Sequence, residues 1–332
     1  MTHAALPCTR LSRILGGMSA PSTASSGLPL QSMVGCAFYF PSEQHQEAMA
    51  HLLYGVQGGG GFVLLTGDPG VGKTRVVRSF LQQLPKPCVV AVVGSAHRHA
   101  LALLQTVCNL FGLALQGSPA GAKSCMDALN AFLLSTHAQG RQAMLIVDDA
   151  HQLSPELLEL LRLLTNLETS ERKLLQIVLV GRSELRDRLA EPTLEQLAQR
   201  VTARHHMTGL SAQGVFNYVV HRTQAAGLQT PQRLNRTALA RLHRLSGGAP
   251  QQINRLLDRA LKLSSIGDRS VVTASAIGLA ADEIFPSRVQ HRRQVAQWGW
   301  AGLSLALLLG GLAMALKPWW PPLDLLRRLF SG

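Results

Sequence analysis

From about residue 35 to residue 208, short apolar runs alternate with stretches whose apolar residues recur every three or four positions. Phe62-Val63-Leu64-Leu65-Thr66, Cys88 to Val93, Ala143 to Val147, Leu174 to Val180 and Val201 to Met207 read as strands. Helical spacing is expected after Ser42 through Glu47, Ala50, Leu53 and Tyr54, and over 99–112 and 122–138. A further helix is capped by Ser154, has Pro155 in its first turn and continues through Leu157, Leu160, Leu161 and Leu164. A loop of four glycines, Gly58 to Gly61, leads into the first strand. Strands that are apolar on both faces, separated by amphipathic helices, predict a parallel α/β sheet covered on both sides.

Beyond residue 208 the period-two signal stops. Segments 211–227, 235–246, 248–262 and 273–284 read as helices, with Ser211 and Asn235 as caps, so 209–285 is expected to form a small helical lid domain after an α/β domain at 35–208. The flanks differ in kind. Residues 1–34 are a leader rich in Ser, Pro, Gly and Thr, expected to be flexible. Residues 286–297 form a basic linker with Arg288, Arg292 and Arg293. Trp298 to Leu316 is nineteen residues without a charge, flanked by Trp298, Trp300, Trp319 and Trp320. About twenty apolar residues span a bilayer core and aromatic rings favour its interfaces, so a single transmembrane helix is expected, followed by a short tail at 317–332.

Composition changes this picture in two ways. Of 332 residues, 46% are hydrophobic and 15% charged, which excludes wholesale disorder. The net charge of +13 points to an acidic partner. Residues 205–297 hold twelve Lys/Arg against four acids, a balance of +8 placed beside the apolar segment. Attraction to anionic lipid is the first reading and DNA binding the second. Aromatic interleaving and zinc-finger spacing, which would favour nucleic acid, are missing from the pattern. The cysteines Cys8, Cys36, Cys88, Cys108 and Cys125 form no C-x-x-C pair and read as reduced packing residues.

The chemistry concentrates at Gly67-Asp68-Pro69-Gly70-Val71-Gly72-Lys73-Thr74, which fits G-x-x-x-x-G-K-[ST] between a strand and a helix. Such a loop turns successive N–H groups toward one anion, and the helix start adds its positive end. Lys73 is expected to reach the β- and γ-phosphates of ATP, Thr74 to ligate Mg²⁺, and Arg75 to complete the binding set. Met144-Leu145-Ile146-Val147-Asp148-Asp149 is an apolar strand ending in acid. Asp148 is the second expected Mg²⁺ ligand, and Asp149 the carboxylate that orients the attacking water. A nucleotide site puts residues 1–297 on the cytosolic side, and the tail on the other.

Further motifs follow in order: Phe40-Pro41-Ser42-Glu43-Gln44-His45, Leu52-Leu53-Tyr54-Gly55, Val147-Asp148-Asp149-Ala150-His151, Leu175 to Gly181, Leu197-Ala198-Gln199-Arg200-Val201-Thr202-Ala203-Arg204, and Leu245-Ser246-Gly247-Gly248-Ala249-Pro250 with Ile253-Asn254. Over about residues 36–285 the chain resembles the AAA-type ATPases of the general secretion pathway protein A group, with relatives in pilus biogenesis. The resemblance implies an oligomeric bacterial inner-membrane ATPase that assists assembly of a type II secretion or type IV pilus-like machine. It also implies that Arg200 or Arg204 serves a neighbouring subunit's nucleotide as an arginine finger. Three positions depart from the group's pattern: Asp149 stands for Glu, Arg182-Ser183 for Gln-Pro, and Gln251 for Arg. Longer members continue into a periplasmic peptidoglycan-binding domain, whereas sixteen residues follow Leu316 here, so cell-wall binding is not expected. Two alternatives stay open: a DNA-dependent regulator, and a nucleotide-gated scaffold with little turnover.

Overall fold

The computed structural model of the protein describes residues 40–285, apart from 58–59, 85–86, 95–96, 98, 115–120, 170–172, 226–233 and 267–271. The expected leader at 1–34, linker at 286–297, transmembrane helix at 298–316 and tail at 317–332 lie outside the described residues. Among the described residues no helix is long and apolar enough to cross a membrane.

The order is α1 (Glu43–Gln57), β1 (Gly61–Gly67), α2 (Lys73–Gln82), β2 (Cys88–Val93), α3 (Ala100–Leu110), α4 (Ala122–Ala138), β3 (Gln142–Val147), α5 (Pro155–Leu164), β4 (Leu175–Gly181), α6 (Ser183–Leu189), α7 (Glu195–Ala198) and β5 (Val201–Met207). The five strands form one sheet in the order β2-β3-β4-β1-β5, and every pair is parallel. The parallel α/β sheet expected from the apolar runs is therefore present, with the glycine-rich Gly67–Thr74 segment between β1 and α2. Successive residues of each strand feed opposite faces, as the pleat requires. Phe62, Leu64, Leu145, Ile177 and Leu179 join a core with α3, α4 and α5. Val63, Leu65, Met144, Ile146 and Val178 join a second core under α1 and α2.

Local chemistry sets the helix starts. Ser42 Oγ accepts from the His45 amide (3.4 Å), Ser154 Oγ from Leu157 N (3.4 Å) and Asn235 Oδ1 from Ala238 N (2.8 Å). Helices α6 and α7 were not anticipated. Ser183–Leu189 buries only Leu185 and Leu189, one apolar pair in a charged turn, too little to register as a period.

After β5 the chain is helical: α8 (Ala212–Ala225), α9 (Arg236–Ser246), α10 (Pro250–Ile266) and α11 (Ala274–Ile284). These helices bury their own core, including Val215, Leu242, Ile253, Leu256 and Ile277. Phe40 packs edge-on against Tyr218 at 5.5 Å, so the segment before α1 is tied to this helical region. Gly209 and Gly248 let two backbones touch where β5 hands over to α8. A Cβ on Gly209 would stand 2.0 Å from the Gly247 carbonyl oxygen, and one on Gly248 would stand 2.2 Å from that of Leu210.

Candidate nucleotide-binding site

The chain leaves β1 for β2, three places away in the sheet, so a crevice opens beyond the carboxyl ends of β1, β4 and β3. The loop after β1 lies there. Gly70 (φ 79°) and Gly72 (φ 108°) adopt backbone angles that side chains rarely tolerate, and Gly72 caps α2. Helix α2 begins at Lys73 and aims its free N–H groups into the crevice. Lys73 Nζ donates to the carbonyls of Gly67 (2.7 Å) and Asp68 (2.9 Å), inside its own loop. Burial lowers the ammonium's affinity for its proton, the Asp149 and Asp148 charges oppose that, and Arg182 reinforces it.

Strand β3 delivers the acids. Asp148 N donates to the Val93 carbonyl at 2.9 Å, so the tip is still held by β2. Thr74 Oγ1 donates to Asp148 Oδ2 at 3.3 Å across seventy-four positions of sequence. Burial, and then the neighbouring Asp149 charge, raise the Asp148 carboxyl above the usual carboxylate range. That is the expected state of a carboxylate set where a cation would offset its charge. The paired oxygens of Thr74 and Asp148 are hard donors beside a phosphate-binding loop, so the donor set suits Mg²⁺.

Asp149 is the one non-glycine residue with positive φ (54°) among the described residues. Its amide donates to Asp148 Oδ1 at 3.0 Å, and its side chain is 58% exposed toward the crevice. Its Oδ1 lies 4.0 Å from Nδ1 of His151, a buried nitrogen with no hydrogen-bond partner among the described residues. Arg182 follows β4 and stands at the start of α6 with its side chain exposed.

The far wall comes from elements whose role the sequence did not disclose. His45 is 6% exposed and hydrogen-bonds through Nδ1 to Ser42 Oγ. Its Nε2 sits 2.7 Å from where a Gly72 Cβ would be. Burial, with the Arg75 charge, pushes this imidazole down to about 4. Across the loop, Gln251 N, at the start of α10, donates to the Gly70 carbonyl at 3.2 Å. The helical region thus rests on the phosphate loop itself. A cavity of about 520 Å³ lies next to this junction, between Phe40–Gln44 and Thr208–Asn217.

The structure therefore brings Gly67, Asp68, Pro69, Gly70, Val71, Gly72, Lys73, Thr74, Asp148 and Asp149 together, with Arg75 in the first turn of α2 beside His45. It places the two other arginines elsewhere. Arg200 precedes β5 at the opposite end of the sheet, with Nη1 donating to Thr165 Oγ1 (3.1 Å), to Asn166 Oδ1 and to the Arg162 carbonyl (3.5 Å). Arg204 lies midway along edge strand β5, and its Nη2 donates to the Ala198 carbonyl.

A family model described as "AAA domain" matches residues 56–189. General secretion pathway protein A of Aeromonas hydrophila is 44% identical over 283 residues, 85% of this chain. The chain spans about half (50%) of that relative's length. Among solved structures, the Aeropyrum pernix ORC1 protein in complex with DNA superposes at TM-score 0.55 and 18% identity, over 79% of this chain and 70% of the other. The Aeropyrum pernix ORC2 protein in ADPNP-ADP complexes gives 0.54 and 15%, over 74% and 68%. At those identities the structures establish shared fold alone. Residues 56–189 thus match an AAA-domain model, the fold is an α/β P-loop fold, and over 85% of its length the chain is similar to general secretion pathway protein A.

Proposed function

We propose that the chain binds Mg·ATP at Gly67–Thr74 and hydrolyses it to ADP and phosphate. The observation that carries this reading is the meeting of Thr74 and Asp148 at 3.3 Å beside Lys73, from elements far apart in sequence. Lys73 would hold the β- and γ-phosphates, exchanging its two loop carbonyls for phosphate oxygens. Thr74 and Asp148 would hold Mg²⁺, which when bound neutralises phosphate charge. Asp149, at the open side, would orient the water. The cavity between Phe40–Gln44 and Thr208–Asn217 is the space that supports placing the nucleoside end there.

The kinship with general secretion pathway protein A supports a role in assembling a secretion machine or a related pilus. In this reading Trp298–Leu316 anchors the chain in the bacterial inner membrane, and the basic lid attracts anionic headgroups. Arg200 and Arg204 would act across subunits of a homo-oligomer. The test is nucleotide binding by Lys73→Ala. Loss of one charge-assisted contact should weaken Mg·ATP binding about 10- to 100-fold. Wild-type affinity in that variant would remove the loop from the reading.

A further inference from the structure

The run Val147-Asp148-Asp149-Ala150-His151 ends in a side chain with no role in the hydrolysis scheme above. His151 lies in a short 3₁₀ turn, Ala150–Gln152, directly after the two acids. That turn is held from two sides. Arg188 Nη1, on α6, donates to the His151 carbonyl at 2.9 Å. Gly181 ends β4 so close by that a Cβ on it would stand 3.2 Å from the His151 amide nitrogen. The His151 side chain is 11% exposed, against 58% for that of Asp149. A buried ring on a pinned backbone thus sits behind an exposed carboxylate.

Nδ1 of this ring is buried, has no hydrogen-bond partner among the described residues, and lies 4.0 Å from Asp149 Oδ1. Folded proteins rarely leave a buried polar nitrogen without a partner, because its lost hydration is not offset. A facing carboxylate selects the tautomer with the proton on Nδ1, since a bare lone pair there would be repelled. Burial lowers the ring's affinity for a second proton, Asp149 and Glu184 oppose this, and Arg182 and Lys73 reinforce it. The net direction is toward a neutral ring that donates from Nδ1. A turn of the Asp149 side chain that closes about 1 Å brings donor and acceptor to hydrogen-bond distance.

We propose that His151 is a positioning residue for hydrolysis, its Nδ1–H holding one oxygen of Asp149 so that the other faces the attacking water. This rests on the reading of the loop as an ATPase site. An exposed aspartate left to itself rotates about its side-chain bonds and spends much of its time turned from the water. Anchoring Oδ1 leaves Oδ2 as the oxygen that meets it. In the reaction, the water oxygen forms a bond to the γ-phosphorus and the bond from phosphorus to the bridging oxygen breaks. The electron pair leaves on ADP, and the water's proton passes by way of Asp149 to solvent. His151 keeps its own proton throughout and touches neither nucleotide nor water. Holding the base in its working orientation raises kcat and leaves nucleotide affinity alone.

The experiment uses the full chain in detergent. Mg·ATP binding and steady-state phosphate release are compared for wild type, His151→Ala, His151→Asn and His151→Gln, and for Asp149→Asn with and without His151→Ala. His151→Ala should bind Mg·ATP within about threefold of wild type while kcat falls about 10- to 100-fold. Asparagine sets an amide N–H where Nδ1 stood, and glutamine sets one nearer Nε2. His151→Asn should therefore regain part of the lost rate and His151→Gln should not, a distinction that packing alone would not make. With Asp149→Asn already present, adding His151→Ala should cost less than about twofold, because the group it positions is gone. Undiminished turnover in His151→Ala would overturn the proposal, as would a loss confined to KM, equal recovery by both amides, or losses that multiply in the double variant. Failure of all three His151 variants to fold would make the ring a packing residue and overturn it too. A wild type that binds Mg·ATP without turnover refutes the role of His151 and leaves the binding reading standing, whereas a wild type that binds none sinks both.

Discussion

At the scale of single residues, Asp149 and His45 show chemistry fixed by backbone and burial. Asp149 occupies a left-handed conformation that aspartate and asparagine tolerate better than other non-glycine residues. A glutamate there would gain reach toward a water but tolerate that backbone less well. Asp149→Asn keeps the conformational preference, so its melting temperature should stay close to wild type. Its turnover should drop at least about 10²-fold with Mg·ATP still bound, and phosphate release at the wild-type rate would take Asp149 out of catalysis. His45 makes a pH prediction. Its imidazole is held at about 4 against 6.5 in the unfolded chain. Between those values the unfolded state binds more protons, so stability contributed by neutral His45 is complete above 6.5 and lost as pH falls toward 4. The full effect is about 3 kcal/mol. Urea midpoints for wild type and His45→Gln should converge across that window, and parallel pH profiles would contradict it.

At the scale of elements, the sheet was largely legible in the sequence because β1 to β4 each feed two cores and read as apolar runs, while the edge strand β5 is only partly buried. Cys88–Val93, Val201–Met207 and the helix Ala122–Ala138 fall where the pattern put them. The phosphate loop and both acids were legible too, since their chemistry depends on spacing within one strand-loop-helix unit and one strand tip. What the sequence hid is contact between distant elements. Nothing near Ser42 says that His45 will lie against Gly72, and nothing near Pro250 says that Gln251 will touch Gly70. Glycine spacing gave no hint that the turn from β5 to α8 meets the turn from α9 to α10 through a backbone contact at Gly209 and Gly248. That contact yields a further expectation. Gly248→Ala meets both a carbonyl oxygen at 2.2 Å and a φ of 73°, and should destabilise the chain by about 2–4 kcal/mol. Denaturant unfolding checks it, and a neutral substitution would mean that the junction yields.

At the scale of the whole molecule, the proposed membrane reading rests on the balance of +8 over residues 205–297 and on the apolar stretch 298–316, with nucleic acid as its rival. Full-length protein should stay with anionic vesicles at high salt, because apolar insertion is not screened. Deleting 298–316 should leave an association that salt abolishes, since only headgroup attraction remains. Full release of the intact chain by salt, with retention on DNA, would reverse the assignment. The same large-scale view bears on the bond from Gln251 N to the Gly70 carbonyl. A main-chain amide has no side chain to lose, so mutation can rewrite residue 251, from arginine to glutamine and beyond, without cutting the wire between lid and phosphate loop. Only one of the twenty residues lacks that amide. Gln251 stands in the first turn of α10, where proline is tolerated, so Gln251→Pro would keep the helix and silence the conversation between the two halves.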